Sequence, residues 1–247
     1  MRTALVVAIL WAGAANAQPS LFEQANALHK EGFKEHDAAK LARAHELYQQ
    51  YLAKSADDAD ATASFYDAEL LFNLQRYDDA ATMYERVTTL APKGRFASQA
   101  AYAFVIAAKN AVKPAARDGG PPCPDLKPCA IAPDRRRLLA AFDRYLALVA
   151  DGPERPIIEY RKAKLLYDEQ HFAEAAPIFD HVFVAYAGNE LATYAANLEM
   201  DCLAILKRYD PLRALVERVK KNATLMKDET TQKQVREMDA GLKKRGK

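Results

Sequence analysis

Histidines are the side chains in this sequence best suited to acid–base or metal chemistry, and none lies in a pattern that builds such a site. His29 and His36 are two helical turns apart and can share a helix face, but no carboxylate or thiol partner is in register with them. The H-E-x-x-H zinc pair, the complete G-x-x-x-x-G-K-[ST] phosphate loop and the G-x-S-x-G nucleophile elbow do not occur. The sequence therefore predicts a protein that is not an enzyme, with no catalytic role for its histidines: His29, His36, His45, His171 and His181.

Two pairs of adjacent aspartates, Asp57-Asp58 and Asp78-Asp79, invite a general-acid interpretation. Adjacent residues on a helix point in different directions, so the two carboxyls of a pair do not face one substrate. We expect Asp78 or Asp79 to cap the helix that follows, and Asp134 and Asp210 to cap the helices that start at Arg135 and Pro211. The three arginines at 135–137 either bind an anion or face solvent. They stand at a helix start, where the helix dipole opposes positive charge, so we expect them to face solvent.

The first residues, MRTALVVAILWAGAANAQPS, have the layout of a signal peptide. Arg2 is followed by an apolar core and by the small-x-small cleavage site Ala15-Asn16-Ala17. This layout predicts that residues 1–17 are removed and that the mature protein begins at Gln18. The apolar stretch is shorter than the roughly 20 residues that span a bilayer. No cysteine follows the cleavage site for a lipid anchor, so the predicted location is periplasmic or secreted.

Three cysteines are present, and an exported protein can oxidise a pair of them. Cys123 and Cys129 lie in the Pro-rich segment GGPPCPDLKPC and are the predicted disulfide, whereas Cys202 is expected to be a buried thiol on an apolar helix face. Zinc is the alternative, but it usually takes four ligands from two close pairs, and only one wide pair is present. We therefore predict no metal and no cofactor.

The charge balance is nearly neutral, with 35 basic and 33 acidic residues and a net charge of +2. Such a balance provides no field that would attract nucleic acid or a membrane surface. Hydrophobic residues make up 50% of the chain, which is enough to build a core and argues against disorder.

Residues 59–92 set the architecture, because they read as a helix, a tight turn and a second helix. Each helix has one apolar stripe at helical spacing, and a lone pair cannot bury two stripes without neighbours of the same kind. The second helix carries an alanine followed four positions later by an aromatic, and this marker recurs along the chain as Ala44/Tyr48, Ala80/Tyr84, Ala141/Tyr145 and Ala175/Phe179. One interval is longer, and it contains the Pro-, Gly- and Cys-rich insertion at residues 114–133.

These copies resemble tetratricopeptide repeats (TPRs), which are 34-residue helix pairs with a W-x2-L-G-x2-Y…A-x3-F…P pattern. The matching positions are Ala68, Leu71, Ala80, Tyr84 and Pro92; Ala163, Leu166, Ala175 and Phe179; and Leu28, Gly32, Ala44 and Tyr48. The resemblance implies an all-α fold, a right-handed solenoid of about five helix pairs over residues 18–225, with a charged capping helix at 226–247. Among such repeats, the chain looks like the scaffolds of bacterial envelopes.

The expected helix boundaries follow from the periodicity and from turn residues. Outside residues 59–92, we expect helices at Leu21–Glu35, Ala38–Lys54, Phe96–Val112, Arg135–Val149, Pro156–Glu169, Ala173–Tyr186, Leu191–Lys207, Pro211–Asn222 and Asp228–Lys244.

In the resembling family, the first helices of successive pairs line a groove that binds another polypeptide. Carried over by register, this implies a partner-binding set of aromatic, amide and charged residues: Phe65, Glu69, Phe72, Asn73, Tyr160, Lys164, Tyr167, Asp168, Tyr194, Asn197 and Asp201. The alternative for each aromatic is packing against the next repeat.

The resulting functional hypothesis is a non-catalytic protein–protein interaction scaffold in the periplasm or cell envelope, with other envelope proteins or peptides as partners. A second hypothesis is a peptidoglycan-binding protein or an accessory subunit of a cell-wall enzyme, because aromatics can stack on sugar rings. A third is a structural homo-oligomer in which the charged C-terminal helix docks onto another copy.

Overall fold

The computed structural model describes residues 19–54, 59–113 and 123–245, and all regular elements in these ranges are helical. The predicted signal peptide at 1–17 and the Asp57-Asp58 pair lie outside the described residues. Two short 3₁₀ segments, Pro124–Leu126 and Leu225–Lys227, accompany these α-helices: α1 Leu21–Glu35, α2 Ala38–Leu52, α3 Ala59–Asn73, α4 Tyr77–Leu90, α5 Ala97–Ala111, α6 Pro133–Leu148, α7 Arg155–Asp168, α8 Phe172–Ala185, α9 Glu190–Ile205, α10 Tyr209–Lys221 and α11 Glu229–Arg245.

The chain divides into two compact units, Met1–Ala56 and Asp57–Lys247. The first unit contains the hairpin of α1 and α2. A capping box starts α1, because the Ser20 hydroxyl accepts from the Glu23 N–H while the Glu23 carboxylate accepts from the Ser20 N–H. Gly32 on α1 favours the close approach of α2, since a Cβ there would lie only 3.0 Å from the Lys40 Cβ.

The second unit holds α3 to α11, and each helix packs on the next along the chain. In addition, α7 contacts α9 and α9 contacts α11, so the first helices of neighbouring hairpins lie side by side. The alanine–aromatic markers of this unit are all in the core: Ala80, Tyr84, Ala141, Tyr145, Ala175 and Phe179. This arrangement confirms the predicted all-α fold of consecutively packed helix hairpins.

Four hairpins close with the same tight turn, in which one residue after the first helix adopts a left-handed conformation. These residues have φ between 55° and 63° and are His36, Gln75, Gln170 and Lys207. In each turn, the following N–H donates to the carbonyl five residues back, as from Arg76 to Leu71 at 2.9 Å and from Arg208 to Leu203 at 2.9 Å. This bond satisfies a carbonyl at the helix end that has no partner within the helix.

The tight turns correct the predicted caps of two helices. Arg76 and Arg208 occupy the N-cap positions of α4 and α10 without a capping side-chain bond, and Asp78, Asp79 and Asp210 lie in the first turns instead. The residue after the left-handed one is the N-cap, and in these two turns it is an arginine, which has no acceptor for the helix N–H groups, whereas Asp37 at the same position caps α2. Acidic side chains in a first turn still interact favourably with the helix dipole.

The third hairpin, α5 and α6, carries the insertion in place of this turn. Pro133 is the first residue of α6 and Ala132 its N-cap, so the predicted cap Asp134 lies inside the helix. There its carboxylate accepts hydrogen bonds from the Lys113 N–H at 3.1 Å and the Arg135 N–H at 2.8 Å. Asp134 therefore ties the two ends of the insertion together.

The left-handed turn generates a prediction about stability at exposed Gln75. A β-branched side chain is strained at positive φ, so Gln75→Val is expected to lower the free energy of unfolding by about 1–2 kcal/mol. Asn tolerates this conformation, so Gln75→Asn should unfold within about 0.5 kcal/mol of the wild type in urea. Equal stability of the Val and Asn variants would contradict the role assigned to this turn.

Candidate partner-binding face

Helices α7 and α9 bring together side chains that the sequence assigned to two different repeats. We call this surface the α7–α9 face and define it by Tyr160, Lys164, Tyr167, Asp168, Tyr194 and Asp201. The rings of Tyr160 and Tyr194 lie 6.5 Å apart across the two helices. The Asp201 carboxylate of α9 lies beside the Tyr167 hydroxyl of α7, so a polar contact also joins the same two helices.

The aromatic rings of this face rest on the core but keep an outer edge in solvent. Tyr160 and Tyr167 are half-buried, with centroids 6.0 Å and 6.3 Å from Phe179 of α8. Tyr194 is 54% exposed, which makes it one of the most exposed large hydrophobic side chains among the described residues. The two packed rings of Tyr160 and Tyr167 and the accessible ring of Tyr194 form one apolar surface. A ligand that binds there would immobilise few side-chain torsions, so little conformational entropy would be lost.

Charged groups flank the rings. Lys164 Nζ lies 2.5 Å from the Asp168 carboxylate and 5.8 Å from the centre of the Tyr167 ring. An ion pair this exposed adds little stability. The pair nevertheless places an ammonium group, Lys164, and a carboxylate, Asp168, beside the aromatic rings, where both can interact with the backbone or side chains of a ligand.

Burial controls the protonation of the central tyrosine. It raises the pKa of Tyr167 to about 12, and the Asp201 carboxylate adds to that increase. Burial also raises the pKa of Asp201, although hydrogen bonds from Gln234 and Tyr167 oppose the rise. Tyr167 therefore stays protonated at neutral pH and keeps its hydroxyl hydrogen beside the Asp201 carboxylate.

Helix α11 covers one end of the predicted residue set. Gln234 Nε2 donates to the Asp201 carboxylate and to the Asn197 carbonyl, each at 2.8 Å, and Asn197 Nδ2 donates to Thr231 Oγ1 at 2.9 Å. Asn197 is thus held by α11. Val235 adds apolar burial on the docked side of the same helix.

The four predicted residues of α3 have different surroundings. Phe65 is only 4% exposed and stacks on Phe96 at 4.2 Å, so it is a core residue. Glu69 is partly buried and accepts a 2.6 Å hydrogen bond from the Tyr84 hydroxyl. Phe72 packs against Tyr77, and Asn73 Nδ2 donates to the Glu69 carbonyl. The α7–α9 face is the more continuous candidate surface.

Beside the disulfide that the sequence predicted, hydrogen bonds that the sequence did not indicate fasten the insertion to the α7–α8 turn. Cys123 and Cys129 form a disulfide, with Cα atoms 5.7 Å apart. The Cys129 N–H donates to the Glu169 carbonyl at 2.9 Å, and the Cys129 carbonyl lies 2.8 Å from His171 Nε2. The contact joins residues about 40 positions apart, and no periodic pattern marks it.

The arginine run 135–137 is not a solvated stretch, which corrects the expectation from sequence. Arg135 forms an ion pair with the fully buried carboxylate of Glu169. Arg136 donates to the Ile131 carbonyl at 3.0 Å, and Arg137 donates to the Thr82 hydroxyl. A buried carboxylate needs a partner, and the start of α6 is where the fold supplies one.

The described residues contain no helix that is both long and apolar enough to cross a membrane.

Comparison with known proteins finds similar solved structures, but no family model and no curated relative. No family model matches the chain, and no curated protein matches it. Among solved structures, it is similar to a Podosopora anserina protein assigned as a kinesin light chain with nearly identical TPR-like repeats. That match has 12% identity and a TM-score of 0.41, covering 91% of this chain and 98% of the other. A variant of the same protein gives 11% identity and a TM-score of 0.41, with 86% and 100% covered.

The cysteine arrangement predicts a defined thiol count. Cys202 is fully buried, and burial raises the pKa of its thiol to about 12, so it should not react with Ellman's reagent in the native protein. Unfolding without a reductant should expose one thiol, and prior reduction should expose three. Cys202→Ser serves as the control and should give none without reductant. Three thiols in unreduced wild-type protein would contradict the Cys123–Cys129 disulfide.

Proposed function

We propose that this protein is a non-catalytic protein–protein interaction scaffold that holds a peptide or protein segment against the α7–α9 face. The observation that carries the proposal is the joining of tyrosines from two adjacent repeats into one surface, with Tyr160 and Tyr194 in ring contact. Helical hairpins are common supports for protein binding, but the assignment rests on this surface and not on the fold.

The chemistry of the face suits a polypeptide ligand. Tyrosine is enriched at the energetic centres of interfaces, because its ring supplies contact area with few rotatable bonds and its hydroxyl supplies a polar end. Lys164 and Asp168 can pair with a peptide's carbonyl and N–H groups if the ligand displaces their mutual ion pair. In the bound segment we expect an apolar or aromatic residue over Tyr194.

Replacement of Tyr194 is the direct test of the face. Tyr194→Ala removes an exposed ring without opening the core, and we expect it to weaken partner binding at least tenfold, as for a residue worth about 1.4 kcal/mol or more. Binding would be measured by capture from an envelope extract, followed by titration of the purified partner.

Val184→Ala is the matched control, because Val184 is 59% exposed and lies on a second helix, α8. A partner that is lost with Tyr194→Ala and kept with Val184→Ala supports the face. Retention of all captured partners by both variants would contradict it.

We further propose that the protein acts in the periplasm or is secreted, bound to other envelope proteins or peptides. The support is the leader-like sequence at 1–17 and the cysteine pair, which persists as a disulfide in oxidising compartments. The described residues present no feature that favours the cell-wall or homo-oligomer hypotheses over protein binding.

Intact mass measurement tests the export proposal. Expression of residues 1–247 in a bacterium should give a periplasmic species that begins at Gln18. Ala17→Arg removes the small residue before the cleavage site and should leave the uncleaved precursor. A wild-type protein recovered with residues 1–17 intact in the cytoplasm would contradict the proposal.

A further inference from the structure

Residues 123–129 form a loop that the Cys123–Cys129 disulfide closes, and we call this segment the disulfide loop. Three hydrogen bonds attach it to the α7–α8 turn. The Cys129 N–H donates to the Glu169 carbonyl at 2.9 Å. Gln170 Nε2 donates to the Cys123 carbonyl at 3.4 Å. The third bond joins His171 Nε2 to the Cys129 carbonyl at 2.8 Å, and its donor is the one of the three that titrates near neutral pH.

Both ring nitrogens of His171 face groups that accept hydrogen bonds and cannot donate them. Nε2 lies 2.8 Å from the Cys129 carbonyl oxygen, and Nδ1 lies 2.7 Å from a carboxylate oxygen of Glu174. The Glu174 side chain is 64% exposed, and an exposed glutamate is ionised at neutral pH, so it has no proton to donate. Each ring nitrogen therefore needs its own hydrogen, and only the positively charged imidazolium carries both.

The charges around His171 favour the same form. Burial alone lowers its pKa, but the hydrogen bonds to Glu174 and to the Cys129 carbonyl outweigh burial and raise the pKa above its usual value. The Glu169 carboxylate adds to the rise. Arg135 of α6 pairs with Glu169 and offsets part of that contribution.

The charged side chains of the disulfide loop itself contribute little. Asp125 and Lys127 are each 76% exposed, and their charged atoms lie 3.9 Å apart. Opposite charges this close largely cancel, and solvent screens what remains. The state of His171 therefore depends on Glu174, on Glu169 with its arginine partner, and on the Cys129 carbonyl.

We propose that the protonation state of His171 controls how tightly the disulfide loop is attached to the α7–α8 turn. The imidazolium bonds to Glu174 and to the Cys129 carbonyl at once, whereas the neutral ring has one N–H for two acceptors. A hydrogen bond from a charged donor is also about twice as strong as one from a neutral donor. Loss of the proton therefore loosens the loop, although the Cys129 N–H still bonds to Glu169.

The direction of the pH effect follows from the linkage between protonation and attachment. When the Cys129 carbonyl favours the charged ring, the charged ring favours attachment of the loop by the same factor. Attachment is tightest below the pKa of an unperturbed histidine, about 6.5, and weakens as the pH rises through the higher pKa of His171 in the folded protein. This control acts whether or not the α7–α9 face binds a partner.

Nuclear magnetic resonance titration of the protein beginning at Gln18 tests the charged form of His171. Its ring resonances are assigned by their absence from His171→Gln, and they should titrate with a pKa above about 6.5. Glu174→Gln keeps an acceptor beside Nδ1 but removes the charge, so it should lower that pKa. Glu190→Gln is the matched control, because it removes an exposed charge beyond the other end of α8, about 20 Å away, and should leave the titration unchanged.

Hydrogen exchange of the Cys129 amide measures attachment of the loop, because this N–H donates to the Glu169 carbonyl. After correction for the intrinsic exchange rate, its protection should fall about threefold or more between pH 6 and pH 8.5 in the wild type. His171→Gln offers the Cys129 carbonyl an uncharged amide N–H at either pH, so its protection should not change. The Val216 amide of α10 lies in the core, reports global unfolding and should keep its protection in both proteins.

Three outcomes would overturn the proposal. They are a His171 pKa at or below about 6.5, an equal loss of Cys129 protection in the wild type and in His171→Gln, and a loss at Cys129 that the Val216 amide matches. A pH-dependent loss confined to Cys129 of the wild type, together with a lower His171 pKa in Glu174→Gln, supports it. Both measurements use the protein alone, so they are independent of the partner-binding proposal.

Discussion

Close approach of paired helices at alanine is the constraint on which this structure depends. Ala44, Ala80, Ala141 and Ala175 are each completely buried, and each is followed one turn later by an aromatic ring that is at most 3% exposed. The small side chain lets the backbones come together, and the ring fills the groove beside it. Because each pair buries its stripe only partly, each hairpin of the second unit needs the next one to complete its core.

This packing also explains where the fold can present a binding surface. Phe179 belongs to the marker of α8, yet Tyr160 and Tyr167 of α7 rest directly on it. The core residue therefore orients the rings of the α7–α9 face, and only Tyr194 extends largely into solvent. A ligand would meet rings that are already held in place, which reduces the entropy lost on binding.

The architecture was predictable because its signal is periodic and apolar. Ala80 and Tyr84 mark the core from sequence alone, and the structure buries both. The polar details carry no such signal. The contact of Gln234 with Asp201 joins positions 33 residues apart, and neither residue type at those positions indicates the other. Phe65 shows the remaining ambiguity, because its spacing fits both an exposed groove and the core, and the approach of Phe96 places it in the core.

Helix α11 lies against α9 as α9 lies against α7, so it stands where the first helix of another hairpin would be. Its more extensive contacts among the described residues are with α9, α10 and the short 3₁₀ segment before it. Duplication of the hairpin before α11 would therefore lengthen the protein. The duplicated copy would offer α11 the same two residues that now bind Gln234, which are Asn197 and Asp201. A hairpin added in this way would leave the hydrogen bonds of α11 to its neighbouring helix unchanged.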